Sequence, residues 1–155
     1  MQDSAGLPWD QLRIGDAAPP HVYQVTAERI ARYCRAARYE NLIYSNQPAA
    51  RETGLPGIIA PPAMVFVYAP AQVSAWLPPA RSQPGQLLPS PVRIQLTFQG
   101  TLVLAEETIT SVTRIEDQLT RQEQRLLMLR VVAHNQRGEL VAEYVSAYGW
   151  GDPVN

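Results

Sequence analysis

Apolar residues at Ile30, Tyr33, Cys34 and Ala37 follow the i, i+3, i+4, i+7 spacing of one helical face. The run from Ala27 to about Arg38 is therefore predicted to be an amphipathic helix. Thr26 is placed to cap it, because its hydroxyl can accept from an early helical N–H. Glu28 and Arg32 form an i,i+4 pair on its polar side. The period then changes to two. Val92–Phe98 alternates, with Val92, Ile94, Leu96 and Phe98 on one face of a strand. Three more strand regions follow, at Leu102–Arg114, Gln122–His134 and Glu139–Trp150. Asn135-Gln136-Arg137-Gly138 joins the last two as a hairpin, with Gly138 in the left-handed position. His21–Val25 reads as a short fifth strand.

The connecting stretches are also informative. Residues 1–24 are mostly irregular; Trp9, Leu12 and Ile14 are expected to pack on a core, and Gly15-Asp16 to turn. Tyr39–Gly57 reads as a loop with one helical turn at Pro48-Ala49-Ala50-Arg51. Ile58-Ile59-Ala60 is a short buried segment. Pro61-Pro62 opens a second helix, where missing N–H groups cost nothing. Met64, Val65, Phe66, Val67, Tyr68, Ala69 and Val73 make that helix apolar nearly all round, so it is expected to be buried on most sides and interrupted at Pro70. Residues 78–91 form a Pro-rich connection of the length that often carries function. The order predicts one α+β domain over residues 1–155, with a helix available to lie against an antiparallel sheet.

Composition narrows the function classes. A chain of 155 residues suits one core. The net charge of −1 supplies no basic field for nucleic acid and no polybasic run for a membrane surface. The apolar stretch Ile58–Leu77 is broken by Pro61, Pro62 and Pro70, so it is not expected to span a bilayer. No signal peptide is expected at Met1-Gln2-Asp3-Ser4, and Cys34 alone cannot form an internal disulfide, so a cytoplasmic location is expected. All 13 basic residues are Arg, which excludes lysine Schiff-base chemistry and a P-loop. His21 and His134 give no zinc-ligand set with Cys34. No metal or cofactor is expected.

Two stretches resemble the MaoC-like hot-dog family of acyl-thioester dehydratases and hydratases. The first is VTAERIARYCRAARYENLIYSNQPAARETGLPGIIAPP. The family pattern is a helix ending in Gly-Asp-x-Asn-Pro-Ile/Leu-His, an Ala, then Gly-x-x-x-x-Ile-Ala-His-Gly, and it aligns without gaps from Thr26 to Tyr44. The second comprises LTFQGTLVLAEETITSVTRI and LRVVAHNQRGELVAEYVSAYGW, which are similar to the family's second strand with its turn and to its closing hairpin. The IIAPP segment points to dehydratase-like subunits that carry Pro-Pro in place of His-Gly. The resemblance implies a hot-dog fold, an antiparallel sheet wrapped around a long central helix. It also implies two such domains side by side, as a homodimer or with a catalytic hot-dog partner or in a higher oligomer. An acyl-CoA or acyl-carrier thioester would lie at their interface.

Hydration of a 2-enoyl thioester needs an acid/base pair, an oxyanion donor and a tunnel for the acyl chain. The family's Asp and His fall at Tyr39 and Tyr44, and phenols of ordinary pKa about 10 are poor bases near neutrality. Glu40, one residue on, either reaches the pocket or faces water. Asn41 suits the turn and, by the resemblance, lies beside the substrate with Ile59, Ala60, Pro61, Pro62 and Ala63. Pro62 occupies the place of the oxyanion-donating Gly and has no N–H; the Ala63 amide is the alternative donor. Three readings are compatible with this: a non-catalytic acyl-binding subunit of a catalytic partner, an active (R)-type hydratase (a lyase) rebuilt on Glu40 and the tyrosines, or a non-enzymatic acyl-CoA-binding module. Elsewhere, Glu106 and Glu107 are adjacent and cannot act as a pair, Glu116-Asp117 reads as a solvated hairpin tip, and Cys34 as a buried inert thiol. His134 is expected at the surface, His21 carries no distinguishing mark, and Tyr144, Tyr148 and Trp150 share one sheet face.

Overall fold

The computed structural model describes residues 9–76, 90–121 and 124–150. One five-stranded antiparallel sheet has the order β1-β3-β4-β5-β2, from β1 His21–Val25, β2 Ser90–Phe98, β3 Glu107–Arg121, β4 Gln124–Asn135 and β5 Leu140–Trp150. β3, β4 and β5 form a meander, whereas β2 crosses to the far edge and pairs only with β5. The Asn135–Gly138 turn closes β4 and β5 as expected: Gly138 has φ 78° and its N–H donates to the Asn135 carbonyl at 3.0 Å.

The main helix α1 runs Ala27–Ala37, with the Thr26 hydroxyl accepting from Arg29 N at 3.2 Å and the Glu28–Arg32 pair in place at 3.3 Å. Ile30 and Cys34 are buried and Tyr33 is half-buried, but Ala37, in the last turn of the helix, is exposed. The inner face of α1 packs on a core made of Val25, Met64, Val65, Tyr68, Ile109, Val131, Ala133, Ala142 and Tyr144. A second cluster joins Leu12, Ala18 and Trp76 to Ile115, Leu127 and Leu129. Leu12 is thus buried as predicted, while Ile14 is 64% exposed, beyond the edge of that cluster. Gly15 turns there at φ 96°, and the Trp9 and Trp150 side chains lie outside the described residues.

Several boundaries differ from the periodicity reading. The helix after Pro61-Pro62 is one 3-10 turn, Pro62–Met64, followed by α3, Val65–Tyr68. It stops at Ala69 because Pro70 cannot donate the next helical bond. It is buried on one side only, since Phe66 and Val67 are 42% and 40% exposed. Leu102–Glu106 is not strand; β3 begins at Glu107 and continues through Glu116 and Asp117 to Arg121. Those two carboxylates therefore sit mid-strand, at a bulge between Ile115 and Asp117, and not at a hairpin tip. β2 has a second bulge between Pro91 and Arg93. A Cβ built on Gly149 would lie 3.1 Å from Val92 Cγ1 and 3.3 Å from Leu126, so the bulge moves Val92 to the outer face, away from Ile94, Leu96 and Phe98. Residues 78–89 of the Pro-rich connection lie outside the described residues. His134 is half-buried within β4, opposite Thr110. No described helix is long and apolar enough to cross a membrane.

Candidate functional site

The turn after α1 carries four of the nine residues singled out for the site: Tyr39, Glu40, Asn41 and Tyr44. Arg38 adopts the left-handed conformation (φ 58°), and the Tyr39 N–H donates to the Cys34 carbonyl at 2.9 Å. This closure folds the chain back along the helix. The Tyr39 ring stacks on Tyr33 with centroids 6.1 Å apart and meets Tyr44 edge-on at 5.6 Å and 86°. Asn41 Oδ1 accepts from Ile43 N at 3.1 Å and caps the 3-10 turn Leu42–Tyr44, so its side chain is already engaged. Asn46 repeats the device, capping α2, Gln47–Glu52, through Ala49 N at 2.9 Å. That helix covers the single turn expected at Pro48–Arg51.

Burial and mutual proximity set the acidity of this group. Partial burial raises the Tyr44 phenol above its ordinary value, and the neighbouring Tyr39 and Cys34 add to the rise. Tyr33 is raised for the same reasons, and burial alone raises the Cys34 thiol. Each shift favours the neutral form, which makes these groups hydrogen-bond donors and not bases. Glu40 is exposed. No group of three His, Cys, Asp or Glu able to hold a metal occurs among the described residues.

The IIAPP segment is held from the opposite direction. Ile59 bridges Leu104; Ala60 N donates to the Val103 carbonyl at 2.8 Å, and Ala105 N to the Ile58 carbonyl at 2.9 Å. Ile59, Ala60 and Pro61 are buried by this pairing, while Pro62 and Ala63 are exposed. Ala60 and Met64 share the main core with the half-buried Tyr44, so the two segments meet through that core. Pro62 has no N–H, and Ala63 lies in the first turn, where amides have no intrahelical partner.

Other residues near this region, placed by periodicity in their elements, were not singled out as site residues. Phe66 meets Tyr144 edge-on at 5.5 Å, and the Tyr144 hydroxyl donates to the Ala69 carbonyl at 2.7 Å. Leu96 pairs with Tyr144, so β2 continues the inner face past Phe66, with Ile94 and Phe98 48% and 46% exposed. Their alternation was legible; that β2 is an edge strand, leaving them uncovered, was not. Glu106 turns at φ 71°, with its carboxylate accepting from Ala27 N at 3.3 Å. Glu107 is buried, bonded to Leu104 N at 3.0 Å and paired with Arg137 at 2.7 Å, so both carboxylates have structural partners.

Comparison with known proteins gives the fold its context. A family model described as the FAS1-like dehydratase domain region matches residues 13–144. No curated protein matches the sequence. The unliganded R-hydratase PhaJ1 from Pseudomonas aeruginosa superposes with a TM-score of 0.75 at 15% identity, over 96% of this chain and 88% of that one. The MaoC-like dehydratase from Rhodospirillum rubrum gives 0.70 at 17%, over 96% and 100%. A chain of the ChsH1-ChsH2 complex from Mycobacterium tuberculosis gives 0.68 at 20%, over 89% and 90%. These likenesses establish the hot-dog fold.

Proposed function

Because the chain belongs to the FAS1-like dehydratase-region family of MaoC-like hot-dog proteins, we propose that it is the acyl-binding, non-catalytic subunit of a 2-enoyl-thioester hydratase or 3-hydroxyacyl-thioester dehydratase. The observation that carries this reading is the Tyr39–Tyr44 contact. The two positions that the resemblance assigns to an Asp and a His hold phenols packed edge-on, with Tyr44 raised by burial. Neither can take a proton from water near neutral pH. Glu40 is exposed and Pro62 lacks the amide that would stabilise an oxyanion, so the rebuilt-site reading has only an exposed carboxylate as base and the Ala63 amide as donor. In this proposal the thioester, carried on CoA or a carrier protein, lies along the inner face near Tyr44, Ile59, Ala60 and Pro61.

The proposal needs a partner that supplies Asp and His. Support comes from β2, an edge strand of the described sheet whose inner residues Ile94 and Phe98 are exposed, and from Phe66 and Val67 of α3, which are exposed too, with Phe66 against Tyr144, the register partner of Leu96. Exposed large apolar side chains of this kind favour a covering domain. The ChsH1-ChsH2 and HadBC structures are complexes of related fold. Crotonyl-CoA hydration, assayed with the chain alone and mixed with a co-purified hot-dog protein, tests the reading. Activity is expected only in the mixture. A homo-oligomer of this chain with full activity alone refutes it, and loss of that activity in Glu40→Gln would install the rebuilt site instead. A melting-temperature rise with acyl-CoAs but no activity in any mixture would favour the binding module.

A further inference from the structure

Among the described residues, no helix covers the second face of this sheet. Helices α1 and α3 pack on the inner face, and the outer face is crossed by rows of aligned residues. One row is Arg93–Ala147–Met128–Asp117, running β2, β5, β4, β3. The row before it is Gly149–Leu126–Leu119, against which the unpaired bulge residue Val92 lays its side chain at Gly149, with Val92 and Leu119 59% and 46% exposed. The row after it is Gln95–Val145–Arg130–Arg114. A solvated face of an antiparallel sheet ordinarily alternates to polar residues. This one presents Val92, Leu119, Leu126, Met128 and Val145 outward. It is also hollowed, with a cleft of about 540 Å³ over Val145 and Ala147, walled by Arg93 and Gln95 on one side and Glu116, Asp117 and Arg130 on the other.

Its charges are arranged for a particular mate. Arg130 is neutralised within the chain, between Glu116 and Glu143. Arg93 and Asp117 have no ion-pair partner among the described residues, and they stand at opposite ends of one row. A two-fold axis parallel to the strands, between β4 and β5, carries each row onto itself with its order reversed. It sets Arg93 of one copy over Asp117 of the other, Ala147 over Met128, Gly149 over Leu126 and Val92 over Leu119. In these two rows each opposition matches charge with countercharge, short with long, or apolar with apolar, and each occurs twice; in the third row Gln95 falls over Arg114 and Val145 over Arg130, whose charge Glu116 and Glu143 already neutralise. Packed sheets lie about 10 Å apart, a gap that an Arg and an Asp side chain bridge together.

We infer that the outer face is a sheet-on-sheet interface between two copies of this chain, keyed by reciprocal Arg93–Asp117 pairs. It lies apart from the β2 edge strip and does not depend on the subunit reading. The test is a charge swap read by sedimentation or light scattering on the purified full chain. Arg93→Asp and Asp117→Arg are each expected to halve the native mass, because each sets like charges together twice. The double variant Arg93→Asp/Asp117→Arg is expected to restore it. Ile94→Glu, on the inner side of the same strand, is expected to gain no rescue from Asp117→Arg. Far-ultraviolet circular dichroism matching the unaltered chain verifies that each variant is folded. An unchanged mass in Arg93→Asp assigns the face to another occupant and overturns the proposal, as does a double variant that stays at half mass.

Discussion

Tyr144→Phe is the substitution whose cost can be worked from the structure most directly. Tyr144 is 3% exposed and its hydroxyl donates to the Ala69 carbonyl at 2.7 Å, which ties β5 to the segment that follows α3. Removing one oxygen keeps the ring, its edge-on contact with Phe66 and its volume. What is lost is the bond, and what is left is a buried carbonyl without its donor, a combination that costs about 1–3 kcal/mol. For a domain of this size about 2 kcal/mol lowers the melting temperature by about 4–8 °C. Urea unfolding at several pH values measures it. Burial raises the Tyr144 phenol well above its ordinary value, Tyr148 adds to this, and the Ala71 backbone opposes it. The neutral phenol is therefore the folded form, while the unfolded chain ionises near pH 10. Stability from this group is complete below about pH 10 and is lost as pH rises further. The gap between wild type and Tyr144→Phe should be constant from pH 6 to 9 and should narrow above pH 10. Tyr68, raised by burial to about 12, adds a second loss in that alkaline range which both proteins share. A gap under about 0.5 kcal/mol, within the scatter of surface substitutions, would refute the reasoning, as would one that already changes between pH 6 and 9.

Thr26→Ala removes the oxygen that accepts from Arg29 N, and about 1 kcal/mol should be lost in chemical denaturation. Gly138→Val forces a branched residue to φ 78°; open space surrounds the site, so the expected loss of about 1–2 kcal/mol is conformational and a thermal melt should register it. Cys34 is buried and its thiol is raised by that burial, so a disulfide reagent should label it only as the chain unfolds, with rapid native labelling at pH 7 contradicting the packing.

Local signals in the sequence located what is locally determined. The Thr26 cap, the Glu28–Arg32 pair, the turn of helix at Pro48 and the Asn135–Gly138 hairpin each rest on neighbours within a few residues, and each forms where the pattern places it. What escaped was set by the sheet. Glu116-Asp117 resembles a turn because two adjacent carboxylates break the alternation; in the fold the break is a bulge, and Arg130 from the next strand pairs with Glu116. Val92 matched its neighbours' period but not their face, for the same reason on β2. The helix after Pro61-Pro62 was read as buried on most sides because periodicity cannot report that one side of it, at Phe66 and Val67, is exposed. At the candidate site, the residues at the dyad positions were legible from the resemblance, whereas the ring contacts that join Tyr33, Tyr39 and Tyr44 depend on the left-handed step at Arg38.

The bulge in β3 has a consequence for descent as well as for shape. Ile115 stays opposite Leu129 and Asp117 opposite Met128, with Glu116 the surplus residue between them. A relative that lacked that residue would keep the same pairings upstream and downstream, and every remaining side chain would stay on its present face. Insertions and deletions at this point are thus silent to the core, and a single-residue gap at Glu116 is where alignments of diverged relatives should accommodate differences in strand length. Such relatives would give up the Arg130–Glu116 pair and little else.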